Sequence, residues 1–395
     1  MTQANVTDHA AGTTTVCPNC GGRVSYDIHS GIFRCESCRS EIRVETAKNT
    51  VDEYSIDGYS MREREGKPLT GVCTAICQSC GGEIYFDAHE TAKRCPMCGS
   101  AQIRADVATS GVAPEGVVPF RIDAQDAQQR FRKWISRRWF APNRLKKTYG
   151  EGRLEGLYVP CWTYDADTCA DYTGQGGRTR TVRGRDGKTR TEIDWYHVSG
   201  RVYRSFNDLL VCASKNVTGE LVEKLAPFDT VNNIRPFACE YLSGYKAERY
   251  SIDGLQAFER AKEQMARELN SDAESDILSK GYSQSRIYSL SPRFRDVTYK
   301  GVLVPMYAAH YGYGGQTYSY AINGQTGKIF GRYPKSVPKI LAAVLAGLLL
   351  LFGMMYLFGM DDDGHDAYAA AAAQPAYQCI QTVSDLPDGA DLAES

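Results

Sequence analysis

The sequence predicts a multidomain α+β protein: two small cysteine-bound modules, a mixed antiparallel α+β body and one C-terminal transmembrane helix. Three observations predict it. Cys-x-x-Cys occurs four times, in two matched pairs; a long middle region mixes helix-like and strand-like patterns; and an uncharged run of twenty-one residues follows a basic flank.

The first pair is Cys17, Cys20, Cys35 and Cys38, and the second is Cys77, Cys80, Cys95 and Cys98, with fourteen residues between the two halves of each. Each Cys-x-x-Cys turn aims two sulfurs at one point, and the spacer suits a short β-hairpin, as in a zinc ribbon. The two modules align without a gap: Gly21-Gly22 matches Gly81-Gly82, Asp27 matches Asp87, His29 matches His89 and Arg34 matches Arg94. Val24 and Tyr26 alternate with polar neighbours, as do Ile84 and Phe86, which predicts paired strands. Four thiols complete a tetrahedron, so the expectation is two structural Zn²⁺ sites with no open position for catalysis, and His29 and His89 outside the ligand set. A disulfide framework is disfavoured by the metal-like spacing and a reducing compartment. Cys73 is a spare thiol.

In the body, Asp123 reads as an N-cap to a helix with Ala124, Ala127, Phe131, Trp134 and Ile135 on one face, closed by Pro142. Strand-like text follows in pieces from Leu157 to Phe206, with a hairpin turn at Arg185-Asp-Gly-Lys188. A second helix starts at Asp253, with Gln256 completing a capping box and Leu255, Phe258, Ala261, Met265 and Leu269 as its stripe. Ser271 and Glu274 mark a further short helix stopped by Gly281. From Val302 an antiparallel meander is expected, with turn signals at Asn323-Gly324 and Thr326-Gly327. LYVPCW at 157 and VLVPMY at 302 are alike, which suggests two related β units.

Ile340 to Met360 would span roughly 31 Å as a helix, the thickness of a bilayer core. Arg332, Lys335 and Lys339 precede it and Asp361, Asp362 and Asp363 follow it, so residues 1–339 are expected in the cytoplasm. The amino terminus has no apolar core and is not a signal peptide. The whole chain is near neutral at −1, but the tail 361–395 holds eight acids and no Lys or Arg, leaving 46 basic against 39 acidic residues, a net +7, on the rest. The expected organisation is 1–14 disordered, 15–46 ribbon, 47–71 linker, 72–106 ribbon, 107–335 body, 336–360 membrane span and 361–395 a disordered acidic external tail carrying Cys379.

No catalytic constellation is recognised. Gly187-Lys188-Thr189 and GQTGK at 324–328 lack the Walker A pattern and read as turns. Cys161, Cys169, Cys212 and Cys239 are expected in the core, His197 and His310 are the histidines a nucleophilic thiol would need beside it, and Asp165, Asp167 and Asp171 lack the pattern of a calcium loop. A thiol enzyme using Cys161 or Cys212 is a lesser alternative. Arg178, Arg180, Arg183, Arg185, Lys188 and Arg190 form a basic hairpin: either a solvated face or a contact for lipid headgroups, nucleic acid or an acidic protein.

The segments CPNCGG, CQSCGG, YVPCWTYDAD, PFDT at 227–230, YLSGYKAE at 241–248 and LVPMY with NGQTGKIFGRYP resemble bacterial membrane-anchored TFIIB-type zinc-ribbon proteins, often labelled primosomal (PriA-like) helicases. The resemblance covers most of residues 15–335. It implies a bacterial membrane protein that helps recruit phage-shock-type coiled-coil or flotillin-like scaffold proteins. Relatives can carry different membrane segments, so the single pass and the cytoplasmic-membrane location are expected from this chain's own span and flanking charges. The expected function is a non-enzymatic membrane-anchored adaptor; the alternative is a zinc-ribbon nucleic-acid-binding protein without helicase activity of its own.

Overall fold

A computed structural model describes residues 17–42 except 23, 50–59, 72–87, 95, 96, 98, 100, 103–106, 114–145 except 144, 154–183, and 189–358 except 243 and 315. The expected disordered amino terminus, the acidic tail with Cys379, His89 and the turn at 185–188 lie outside the described residues. The chain divides into two compact units, Met1–Pro334 and Lys335–Ser395.

The first unit opens with a three-stranded antiparallel sheet, β1 (Val24–Asp27), β2 (Ile32–Cys35) and β3 (Glu41–Ile42). β4 (Tyr54–Ser55), β5 (Val72–Cys77), β6 (Glu83–Asp87), β7 (Ile103–Asp106) and β8 (Gly116–Val117) precede helix α1 (Ala124–Ser136). Then come β9 (Glu155–Arg183), β10 (Thr189–Cys212), α2 (Gly219–Leu225), β11 (Arg235–Pro236), β12 (Lys246–Glu248) and α3 (Gly254–Ser279). β13 (Gln284–Tyr313), β14 (Gln316–Asn323) and β15 (Ile329–Gly331) complete the unit. The large sheet runs β11-β8-β13-β9-β12-β6-β5-β7, with β10 on β9, β4 and β14 on β13, and β15 on β14.

The run LYVPCWTY is apolar on both faces because both are covered. Leu157, Val159 and Cys161 pack with Val222 and Leu225 of α2. The alternate residue Tyr158 meets Ala127 and Phe131 of α1, and Trp162 and Tyr164 meet Ala257 and Ala261 of α3. The strand period of two thus sends successive side chains into different cores.

The two related β units of the sequence are neighbours about a pseudo-two-fold axis through the pair Val159↔Val304. Pro160 pairs with Leu303 and Tyr158 with Pro305, as such an axis requires. Gly116 and Val117 run parallel to Val302 and Leu303, and Lys246 and Ala247 run parallel to Leu157 and Tyr158. The hydrogen bonds repeat too. Ala213 N–H donates to the Pro160 carbonyl and Gly324 N–H to that of Pro305, each at 2.9 Å. Ser251 and Ile252 N–H share the Ala213 carbonyl, while Arg121 and Ile122 N–H share that of Gly324. Trp162 Nε1 donates to the Ile252 carbonyl at 2.9 Å, and Tyr307 Oη to the Ile122 carbonyl at 2.8 Å. Asp123 and Asp253 cap the equivalent helices, accepting from Asp126 N–H at 2.7 Å and Gln256 N–H at 2.9 Å.

Three expectations are corrected. The pieces between Leu157 and Phe206 are two unbroken strands, β9 of 29 and β10 of 24 residues. They run on because β9 is paired on both sides, with β10 and β13, over most of its length. At about 3.3 Å per residue β9 reaches roughly 95 Å, forming with β10, β13 and α3 a long arm. The break at Ser271 is absent: α3 continues through it, because Leu269, Ala273 and Ile277 extend the buried stripe of Ala257, Ala261 and Met265 at every fourth position. Leu255, expected in that stripe, is exposed, since two residues before Ala257 it lies about 200° round the helix, on the opposite face.

The second unit contains α4 (Val337–Phe358), 22 residues and therefore about 33 Å long. Leu348, Leu349, Leu350, Leu351 and Phe352 are all exposed. It is long and apolar enough to cross a membrane.

Candidate metal centres

Each tetra-cysteine set converges. In the first, Cys17 and Cys20 leave the turn before β1, and Cys35 and Cys38 bracket the turn after β2. Cys17 Sγ lies 3.5 Å from Cys38 Sγ, and Cys20 Sγ 3.4 Å from Cys35 Sγ. In the second, Cys77 Sγ is 3.6 Å from Cys98 Sγ and Cys80 Sγ is 3.7 Å from Cys95 Sγ. All four sulfurs of each group lie within 4.8 Å of one another. A tetrahedron with metal–sulfur bonds of about 2.3 Å has sulfur–sulfur edges of about 3.8 Å, so both groups fit a four-thiolate ion. Two candidate metal centres follow, and they are the groups of this kind among the described residues.

The backbone around the sulfurs is arranged alike. Gly21 and Gly81 take φ of +71° and +68°, which a side chain would strain, and their N–H groups donate to the Cys17 and Cys77 carbonyls. Cys17 N–H bonds the Gly22 carbonyl and Cys77 N–H the Gly82 carbonyl, closing each knuckle. Ser40 donates its hydroxyl and its N–H to Cys38, which pulls that thiol down to about 6 and favours the thiolate a metal requires. His29 stands apart from the sulfurs, exposed, with Nε2 3.3 Å from Asp123 Oδ2.

The two ribbons attach to the body differently. The first keeps its own sheet, and Tyr26 and Phe33 pack on Tyr241 with centroids 5.1 and 4.8 Å apart. The second is continuous with the large sheet: β6 pairs with β12 through Ile84↔Glu248, and Arg249 reaches Glu83 at 2.7 Å.

The basic hairpin is partly committed to itself. Arg180 pairs with Glu192 at 2.9 Å and Asp194 at 3.1 Å, and Arg178 lies over the Tyr196 and Tyr282 rings. Arg183 and Arg190 are exposed, while Arg185 and Lys188 lie outside the described residues. Asp165, Asp167 and Asp171 do not converge: they accept from Asp208 N–H, the Ser205 hydroxyl, and Arg201 and Arg293. Cys161, Cys169 and Cys212 are buried.

Sequence reading missed an ion network in which Lys300 and the Asp208 side chain are buried and Glu53 is exposed. Lys300 Nζ lies 2.6 Å from Glu53 and 2.7 Å from Asp208, far apart in sequence. Burial opposes its charge, but Asp208 and Glu53 outweigh that and raise its pKa. Nothing local signals the network, because a register shift between Phe206 and Leu209 in β10 sets Asp208 there.

Fold and site define an α+β protein with two four-cysteine groups that could each hold a metal ion and one helix long and apolar enough to cross a membrane. The chain is 29% identical over 329 residues to uncharacterized protein YdjG of Bacillus subtilis (strain 168), covering 82% of this chain and 91% of that relative. No family model matches the chain, and no solved structure matches it.

Proposed function

We propose that the protein is a non-enzymatic adaptor that holds two Zn²⁺ ions in its ribbons and fixes a cytoplasmic assembly to the bacterial cytoplasmic membrane through α4. The carrying observation is that both tetra-cysteine groups are closed, so their ions stiffen loops and leave no position for substrate. Continuity of β6 with β12 supports it, since a rigid ribbon makes a defined docking edge. The flanking charges support a cytoplasmic body, and the resemblance to TFIIB-type zinc-ribbon proteins suggests phage-shock-type or flotillin-like partners. Neutralisation of Arg180 by its own sheet weighs against the nucleic-acid alternative.

The test is co-purification from detergent-solubilised membranes of wild-type chain and of a variant with Cys77→Ser and Cys80→Ser. Partner proteins that elute with wild type and are lost from the variant, while the variant stays in the membrane fraction, agree with the proposal. Retention of every partner by this variant, which keeps only the first centre, overturns docking through the second ribbon, and recovery of wild type in the soluble fraction overturns the anchor. Salt-sensitive binding of nucleic acid would favour the alternative.

A further inference from the structure

The pseudo-two-fold axis supplies an internal comparison for each core position of the body. Cys161 of β9 stands opposite Cys212 of β10; the equivalent pair in the other half is Met306 opposite Asn323. Glu248 of β12 corresponds in the same way to Val118. One half therefore carries two thiols and a carboxyl where the other carries Met, Asn and Val. Asn323 has a structural task, donating Nδ2 to the Leu225 carbonyl at 3.0 Å and the Pro227 carbonyl at 2.9 Å. Cys212 Sγ likewise donates to the Val217 carbonyl at 3.4 Å, but the twin is built without a Cys–Cys–Glu set, so that set is particular to this half.

The strand register brings the two sulfurs together. Ala213 N–H bonds the Pro160 carbonyl at 2.9 Å, so Pro160 and Ala213 form a hydrogen-bonded pair and Cys161 and Cys212 the adjacent non-hydrogen-bonded pair. Such pairs hold their Cα atoms about 4.5 Å apart, within the range of about 4.4–6.8 Å that a disulfide accepts. Both side chains enter the same buried cluster with Val159 and Val222.

Access to the pair is one-sided. A cavity of about 250 Å³ between β10, α2 and α3 is lined by Cys212 with Val222, Glu223, Arg260, Gln264 and Arg267, and Cys161 sits behind it, fully buried. The Cys161 hydrogen bond and, more weakly, the Arg260 charge lower the Cys212 pKa, whereas burial raises that of Cys161. Glu248 Oε1 accepts from Ser214 at 2.7 Å and Asn216 at 2.9 Å; Oε2 is buried and has no hydrogen-bond partner among the described residues.

We propose that Cys161 and Cys212 are a redox-active dithiol that a small peroxide, entering through this cavity, converts to an intramolecular disulfide. Cys212 thiolate attacks the peroxide, the O–O bond breaks, and one oxygen leaves as water or alcohol with a proton. The Cys212 sulfenic acid formed is then attacked by Cys161 sulfur, which expels its hydroxyl as a second water after protonation. The balance is two thiols and one peroxide giving one disulfide and two hydroxylic products, with two electrons passing from sulfur to oxygen.

The test treats the full chain, metal-loaded in detergent, with hydrogen peroxide, blocks remaining thiols and maps unreduced peptides by mass spectrometry. The expected result is a peptide linking Cys161 to Cys212 that dithiothreitol separates, with Cys169 still a thiol. A Cys161→Met variant, which places the twin's residue in the core, should lose the link and leave Cys212 as a sulfenic acid trapped by dimedone. Recovery of Cys161 and Cys212 as blocked thiols at a peroxide dose that oxidises the ribbon cysteines overturns the proposal. So does absence of the dimedone adduct from a folded Cys161→Met variant.

Discussion

Replacing Cys77 and Cys80 by Ser removes half the ligands of the second centre and tests how firmly that ribbon belongs to the body. A structural ion contributes on the order of 10–16 kcal/mol to a small module, so two lost thiolates abolish binding at that site. The ribbon's other anchors are modest. Ile84 and Tyr85 are buried, at about 1.5–3 kcal/mol for a large apolar side chain, and the part-exposed Arg249–Glu83 pair adds at most about 1 kcal/mol. Together these amount to about 5 kcal/mol. β6 should therefore stay on β12 while β5, β7 and the sulfur-bearing turns loosen. In detergent-purified full chain, metal content should fall from two ions to one, and hydrogen exchange should rise in β5 and β7 while β12 and β9 stay protected. The matching change at Cys17 and Cys20 should instead loosen β1–β3, leaving β12 unchanged. Two ions per chain in the Cys77/Cys80 variant, or equal loosening of both ribbons, would refute the reasoning.

Three further outcomes are expected. Lys300→Met leaves Asp208 and Glu53 without their shared cation and should cost about 3–5 kcal/mol, measured as a lower midpoint in denaturant; a shift under about 1 kcal/mol would mean the pair is solvated. Tyr307→Phe removes the hydrogen bond to the Ile122 carbonyl and should cost about 1–3 kcal/mol, and Trp162→Phe, at the equivalent position across the axis, should cost more, because the smaller ring also leaves a cavity at a fully buried site. Burial raises the Glu248 pKa, so the folded state holds its proton above the usual 4.5 and the charged form is penalised. The penalty is absent below 4.5 and grows as pH rises through the folded pKa. Glu248→Gln should therefore gain thermal stability over wild type as pH rises across that window, and a constant difference between the two would count against it.

Short-range patterns carried far in this chain. Cys-x-x-Cys spacing located all eight metal-ligand candidates, because each turn is local and fixes two sulfurs by itself. The N-cap aspartates at 123 and 253 and the apolar run in α4 were equally legible, since helices depend on neighbours within one or two turns. The likeness of LYVPCW to VLVPMY hinted at paired units, but only their antiparallel register about Val159 and Val304 made them two halves of one sheet.

Tertiary structure alone decided the remainder. Strand length depends on how long a partner stays alongside, so β9 outran every local punctuation mark. The opposition of Cys161 to Cys212 and the meeting of Lys300 with Glu53 both depend on register, which the irregularity at Asp208 shifts by one residue. A side chain's identity is written in the chain; which distant group it faces is settled only when strands pair.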